Sequence, residues 1–186
     1  MSEPARKKAT YEDLCGLPEN MVGEIINGEL LARPRPSGRH IQASSVLAME
    51  LGPPFQFGRG GGPGGWWILD EPELHLGAEV LVPDLAGWRR ERMPAVPEDH
   101  KFLIPPDWVC EVLSPGTVRV DRTKKTWIYA RAGVPHLWLI DPANKTLEVF
   151  RLQSGGWLLL GSFAEDDKVR AEPFQEVEVE LKHLWA

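Results

Sequence analysis

The chain has 186 residues, 42% of them hydrophobic and 26% charged, a composition that suits a globular protein with one sizeable core. A formal charge of −6 argues against an extended electrostatic grip on a polyanion. Two cysteines, Cys15 and Cys110, cannot build a disulfide framework and fit no zinc spacing. The opening MSEPARKKAT lacks the apolar stretch of a signal peptide, and no apolar run approaches the roughly 18 residues of a membrane span. The expectation is therefore a cytoplasmic protein with no membrane partner.

In chain order, residues 1–10 are expected to form a disordered tail, and residues 11–186 a single α/β domain. TYEDLC reads as a short helix, with Thr10 as N-cap and Asp13 completing a capping box. GEIINGELLA places two alternating apolar runs around Asn27-Gly28, the signature of a type I′ hairpin. Ser37 can cap a helix over 38–51, with Ile41, Val46, Leu47 and Leu51 at helical spacing. The stretch GPPFQFGRGGGPGGWW reads as a loop, and it lacks the Lys-Ser/Thr ending of a phosphate loop. Strands are predicted at 66–70, 72–76, 80–88 and 107–113. A helix over 120–133 ends at Gly133 with Pro135 beyond it. Strands at 136–141, 146–152 and 156–163 form a C-terminal β-meander, followed by a strand at 176–181 and a short helical LKHLWA.

Two carboxylates stand in apolar strand patterns. Alternation across 108–113 puts Trp108, Cys110 and Val112 on one face and Val109, Glu111 and Leu113 on the other, so Glu111 lies among apolar neighbours. The same reading puts Asp84, in VPDLAGW, on a face with Val82 and Ala86. An acid buried in this way is paired, protonated or metal-bound. Two acids on neighbouring strands, with the Val112 carbonyl, make an oxygen-rich half-shell suited to Mg²⁺ or Mn²⁺. A lysine can neutralise transition-state charge or orient water, and the helix after SPGT offers two. At about 100° per residue Lys125 shares the face of Asp121, Ile128, Tyr129 and Ala132, whereas Lys124 lies towards Trp127 and Arg131. Lys125 is the inward candidate.

Taken singly, these residues have ordinary explanations: Asp84 as a turn acid, Glu111 as half of an ion pair, Lys125 as a surface lysine. His40 can touch phosphate from the basic SGRH segment, but a solvated helix terminus is the simpler reading. The five histidines show no zinc spacing, and Trp88, Trp108 and Trp138 fit core packing better than base stacking. Ser114 has no His–Asp partner pattern.

The order GEIINGELL, VPDLAGW, DWVCEVLSPGT and DRTKKTWIYARAGVPHLWLIDP resembles the bacterial putative restriction endonuclease family of the PD-(D/E)XK nuclease superfamily, over roughly residues 10–186. The resemblance implies a restriction-endonuclease-like mixed β-sheet core flanked by helices, with an N-terminal hairpin. It also implies a metal-dependent endonuclease acting on DNA, and commonly a homodimer. Asp84 and Glu111 match the metal-binding acids. The chain departs from the superfamily pattern at Leu113, where a lysine is usual, and the branch's helix lysine matches Lys125. The family's hairpin glutamate matches Glu24, with Glu73 a looser match. The alternative is a catalytically inactive nucleic-acid-binding or interaction module on the same fold, favoured by the −6 charge and by Leu113.

Overall fold

The computed structural model describes residues 8–185. Of the expected 1–10 tail, residues 1–7 lie outside the described residues. The last part is anchored: Ala9 N–H donates to the Gly28 carbonyl at 2.8 Å, and Thr10 forms the predicted capping box with Asp13 on α1 (Tyr11–Cys15). The hairpin of β1 (Met21–Ile26) and β2 (Glu29–Pro34) turns at Asn27 and Gly28, whose φ values of 53° and 77° are the positive pair a type I′ turn requires. Helix α2 (Gly38–Leu51) follows and continues into one π turn at Gly52–Gln56, within the stretch predicted to be a loop.

Helix α2 buries Leu47 and Leu51 as predicted, with Val46 partly buried, but the rest of its inner stripe is His40 and Ala43, and Ile41 is 48% exposed. Strand β3 (Trp66–Asp70) and β4 (Glu73–Leu76) agree with expectation. The predicted strand 80–88 is instead two strands in two sheets, β5 (Glu79–Leu81) and β6 (Leu85–Arg89). Pro83 cannot donate to a ladder, and the chain changes sheets across Val82, Pro83 and Asp84. The short β7 (Lys101–Phe102) leads to β8 (Trp108–Val112).

A helical segment then runs through α3 (Val118–Val120), a π turn at Asp121–Lys125 and α4 (Thr126–Arg131), and Gly133 beyond it has φ 76°. The meander of β9 (His136–Asp141), β10 (Thr146–Gln153) and β11 (Gly156–Ala164) is as predicted. Near the C-terminus the expected strand 176–181 reduces to β13 (Val179–Glu180), paired with β12 (Lys168–Val169), before one 3₁₀ turn at Leu181–Leu184.

Two mixed sheets result. Five strands run in the order β2-β1-β5-β4-β7, and six in the order β11-β10-β9-β8-β6-β3. Within the six, β8 and β9 are parallel and joined by the α3–α4 crossover, while β6 is antiparallel to β8. The alternation read at 108–113 holds. Trp108, Cys110 and Val112 pack in one core with Ala43, Leu47 and Leu51 of α2, and Val109 and Leu113 pack in the other with Ile128 and Tyr129 of α4. The central sheet is thus covered on both faces, and Glu111 points towards α4. Trp88, Trp108 and Trp138 are fully buried, as core packing predicts. Among the described residues no helix is long and apolar enough to cross a membrane.

Candidate functional site

Four carboxylates converge where the chain changes sheets: Glu24, Asp84, Glu111 and Asp121 are each at most 5% exposed. Lys125 is 1% exposed. Its ammonium lies 2.8 Å from Oε1 of Glu111, 2.8 Å from Oε1 of Glu24 and 3.7 Å from Oδ1 of Asp121. The hairpin, the central strand and the crossover helix therefore each send one acid to the same cation. The π turn carries both Asp121 and Lys125 inward, as π turns often do at functional sites. Tyr129, one turn on, donates its hydroxyl to Oε1 of Glu111 at 2.5 Å.

The segment between the sheets is held by site side chains rather than by a ladder. Val82 N–H donates to Oε1 of Glu24 at 2.8 Å, and Arg33 donates to the Val82 carbonyl at 3.1 Å. Asp84 is fixed through both oxygens: Oδ1 meets Nε2 of His40 at 2.5 Å, and Oδ2 accepts the Val112 N–H at 2.7 Å. The position of Asp84 in the switch segment, rather than on a common face with Val82 and Ala86, lets it reach across to the end of β8. His40 is buried to 4% exposure, so the solvated-terminus reading does not hold.

Burial sets the electrostatics. The Glu111 carboxyl is pushed up to about 8, first by desolvation. Lys125 opposes the rise, while the charges of Asp121, Asp84 and Glu24 add to it. Burial alone would lower Lys125, but Glu111, Glu24 and Asp121 outweigh it and hold the ammonium well above the ordinary lysine range. Asp121 is raised by burial against the pull of Lys125. For Arg33, burial is outweighed by the same four acids, and its pKa rises. Four buried acids thus face two permanent cations, Lys125 and Arg33, and Glu111, raised to about 8, keeps its proton at neutral pH unless further positive charge arrives. The cluster is short of positive charge.

That shortage suits a divalent cation. Asp84 and Glu111 are hard oxygen donors, and Mg²⁺ commonly takes one or two carboxylates and completes its shell with water and phosphate. Among the described residues no three His, Cys, Asp or Glu side chains stand together as a ready metal cage, so such an ion would depend on water and substrate for its remaining ligands. A cleft of about 420 Å³ between α2 and the β3–β4 turn opens onto Asp84 and His40.

All four predicted side chains, Asp84, Glu111, Lys125 and Glu24, fall in this cluster, and the backbone of Val112 touches it through its N–H. Glu73 does not join it. That side chain bonds to Tyr11 at 2.8 Å and His75 at 2.7 Å. Sequence reasoning put Asp121 and Tyr129 on the inward face of Lys125 without giving them a role, set His40 aside as a solvated helix terminus, and missed Arg33. For His40 the signal is its spacing from Ala43, Leu47 and Leu51 on one helical stripe; for Asp121 it is the i,i+4 relation to Lys125.

Comparison with known proteins bears on the fold that carries this cluster. The model of a family described as "Uma2: Putative restriction endonuclease" matches residues 9–182. A crystal structure from Anabaena variabilis, described as a putative nuclease belonging to DUF820, is similar at a TM-score of 0.77 and 27% identity. The match covers 95% of this chain and 97% of that one. Comparison with curated proteins finds no match.

Proposed function

The chain belongs to the Uma2 family and has a restriction-endonuclease-like fold, and from that footing we propose that it is an endonuclease hydrolysing DNA phosphodiester bonds with Mg²⁺ or Mn²⁺. The observation that carries the reading is the buried surplus of carboxylate around one lysine at the end of the central strand. Asp84 and Glu111 would hold the ion, with the Val112 backbone at the same strand end. Such an ion lowers the pKa of bound water and stabilises charge that develops on phosphorus-bound oxygens.

The chain's own residues do the rest. His40 and the Val112 N–H fix the orientation of Asp84. Glu24 and Asp121 hold Lys125, whose ammonium stays charged and supplies a positive end to the reacting phosphate or its water. Tyr129 fixes one oxygen of Glu111. A homodimer, inferred from family resemblance, belongs to the same proposal and is read by sedimentation.

A second reading, a binding module without turnover, is favoured by the sealing of Glu111 and Lys125 at 2% and 1% exposure. The discriminating experiment incubates the protein with supercoiled plasmid and a single-stranded circle, in Mg²⁺, in Mn²⁺ and in EDTA, beside Asp84→Asn and Lys125→Met. Thermal unfolding confirms that each variant is folded. Metal-dependent nicking lost in both folded variants is the expected result. Nicking that survives Asp84→Asn sinks the assignment, and no cleavage on either substrate leaves the binding module.

A further inference from the structure

Most sheet edges in this molecule are guarded. On β3 the Ile68 N–H donates to the side chain of Gln56 at 2.8 Å, β2 carries Glu29, Arg33 and Pro34, and β7 is two residues long. Side-chain cover, charge, proline and short length are the usual means of keeping an edge from pairing with another chain. The remaining edge of the six-stranded sheet is different. Strand β11 reads GWLLLGSFA, nine residues without a charge or a proline, and among the described residues it pairs with β10 alone. Leu158, Leu159 and Leu160 in it are 42%, 50% and 38% exposed. Its one irregularity is a bulge at Leu160, where Val149 pairs with Gly161 and Phe150 with Leu159. The bulge bends the strand but leaves it apolar.

The apolar surface continues beyond the strand. Alternation along the ladder puts Trp157 and Leu159 on the side of Phe150, which packs against the α4 core, and Leu158 on the opposite side. The Trp157 indole donates to the Thr126 carbonyl at 2.9 Å, and the next residue, Trp127, is 60% exposed. Exposed leucines and an exposed indole thus stand together at one open edge, the composition of an interface core rather than of a solvated surface.

Two demands define what covers this edge. The occupant must offer an extended backbone to the outward N–H and C=O groups of β11, and apolar side chains over roughly 30 Å, the length of nine strand residues. It must also reach Trp127. A second β11 does both. Antiparallel pairing about a two-fold axis lays the same nine residues against themselves, sets the two α4 flanks on one side of the joined sheet and brings no like charges together, since the strand has none. A stable interface buries on the order of 800 Å² per partner. The edge backbone, both rows of its side chains and Trp127, which alone offers on the order of 100 Å², come to that order.

We propose that β11 is the dimerisation edge: two copies of the chain pair antiparallel along Gly156–Ala164 into one continuous sheet, with Trp127 of each protomer covering the joint. The proposal rests on the homodimer reading above, to which it adds the surface.

The test is sedimentation equilibrium over a range of protein concentrations, on the parent, Leu159→Lys and Trp127→Ala. Leu103→Lys, at a leucine 69% exposed on the loop after β7, is the control. Thermal unfolding confirms that each variant is folded. The parent is expected to be a dimer. Leu159→Lys should raise its dissociation constant about a hundredfold, because the axis places two lysines in one interface, and Trp127→Ala about tenfold. Leu103→Lys should leave it unchanged. Hydrogen exchange then separates edge pairing from docking of a face: amides of residues 156–164 in the parent should exchange more slowly at high protein concentration than at low. This arm uses the parent alone, so it decides the matter even where Leu159→Lys fails to fold. A dimer with the parental constant in both folded variants overturns the β11 edge and keeps the homodimer, as does exchange in β11 that is independent of concentration. A parent that stays monomeric across the range overturns both.

Discussion

Two glutamate–tyrosine pairs in this molecule differ in almost nothing but their surroundings. Glu111 accepts from Tyr129 at 2.5 Å and Glu73 accepts from Tyr11 at 2.8 Å, and each pair has a lysine beside it. Glu111 is 2% exposed, with the Lys125 ammonium 2.8 Å away and three other buried acids around it. Glu73 is 18% exposed at its side chain and shares its oxygen with His75, while Lys101 lies over the Tyr11 ring at 4.5 Å. Water can relax the second pair but not the first. The same residue types therefore dock a helix in one place and build a charge-deficient site in the other.

The largest expected effect tests that contrast on the two lysines. Lys125→Met strands the buried carboxylates and is expected to cost about 3–5 kcal/mol in chemical denaturation. Lys101→Met gives up a cation–π contact worth about 0.5–1 kcal/mol. Adding Glu111→Gln to Lys125→Met should recover part of the loss, so that the double variant is less destabilised than the sum of the singles. Strict additivity would break the comparison. Next comes Asp84→Asn, which keeps an oxygen for the Val112 N–H. It should lower metal-dependent nicking about a hundredfold or more while the protein stays folded. Nicking within a factor of two of the parent would remove Asp84 from the site.

Much of this arrangement was legible because it follows from local rules. Thr10 with Asp13, Asn27 with Gly28, and Gly133 each dictate a turn or cap from neighbours in sequence. Period-two alternation assigned Glu111 to the correct face, and period-3.6 geometry chose Lys125 over Lys124, which is half-buried and lies 3.2 Å from Glu29. What was not legible depends on the other sheet. Strand propensity runs unbroken through 80–88 apart from Pro83, yet the chain leaves one sheet for the other there, and this transfer is what frees Asp84 to reach β8. His40 was misplaced because a histidine near a helix start reads as polar; its burial is set by Asp84, 44 residues away. Arg33 lies on an edge strand whose sequence looks solvated, and only the convergence of four acids explains its enclosure.

The smallest effects sharpen the comparison most, because they change one hydroxyl in each pair. Tyr129→Phe removes a donor from a carboxylate that water cannot reach, and about 1–3 kcal/mol should be lost, with reduced nicking as Glu111 loses its fixed orientation. Tyr11→Phe removes the same atom where Glu73 keeps His75 and solvent, and about 0.5–1.5 kcal/mol is the ceiling, with nicking unchanged. Glu73→Gln should likewise leave nicking at the parent rate. Equal losses in the two tyrosine variants would mean that burial does not separate the pairs. A drop in nicking on Glu73→Gln would instead draw the β4 acid into the chemistry and extend the site to the outer sheet.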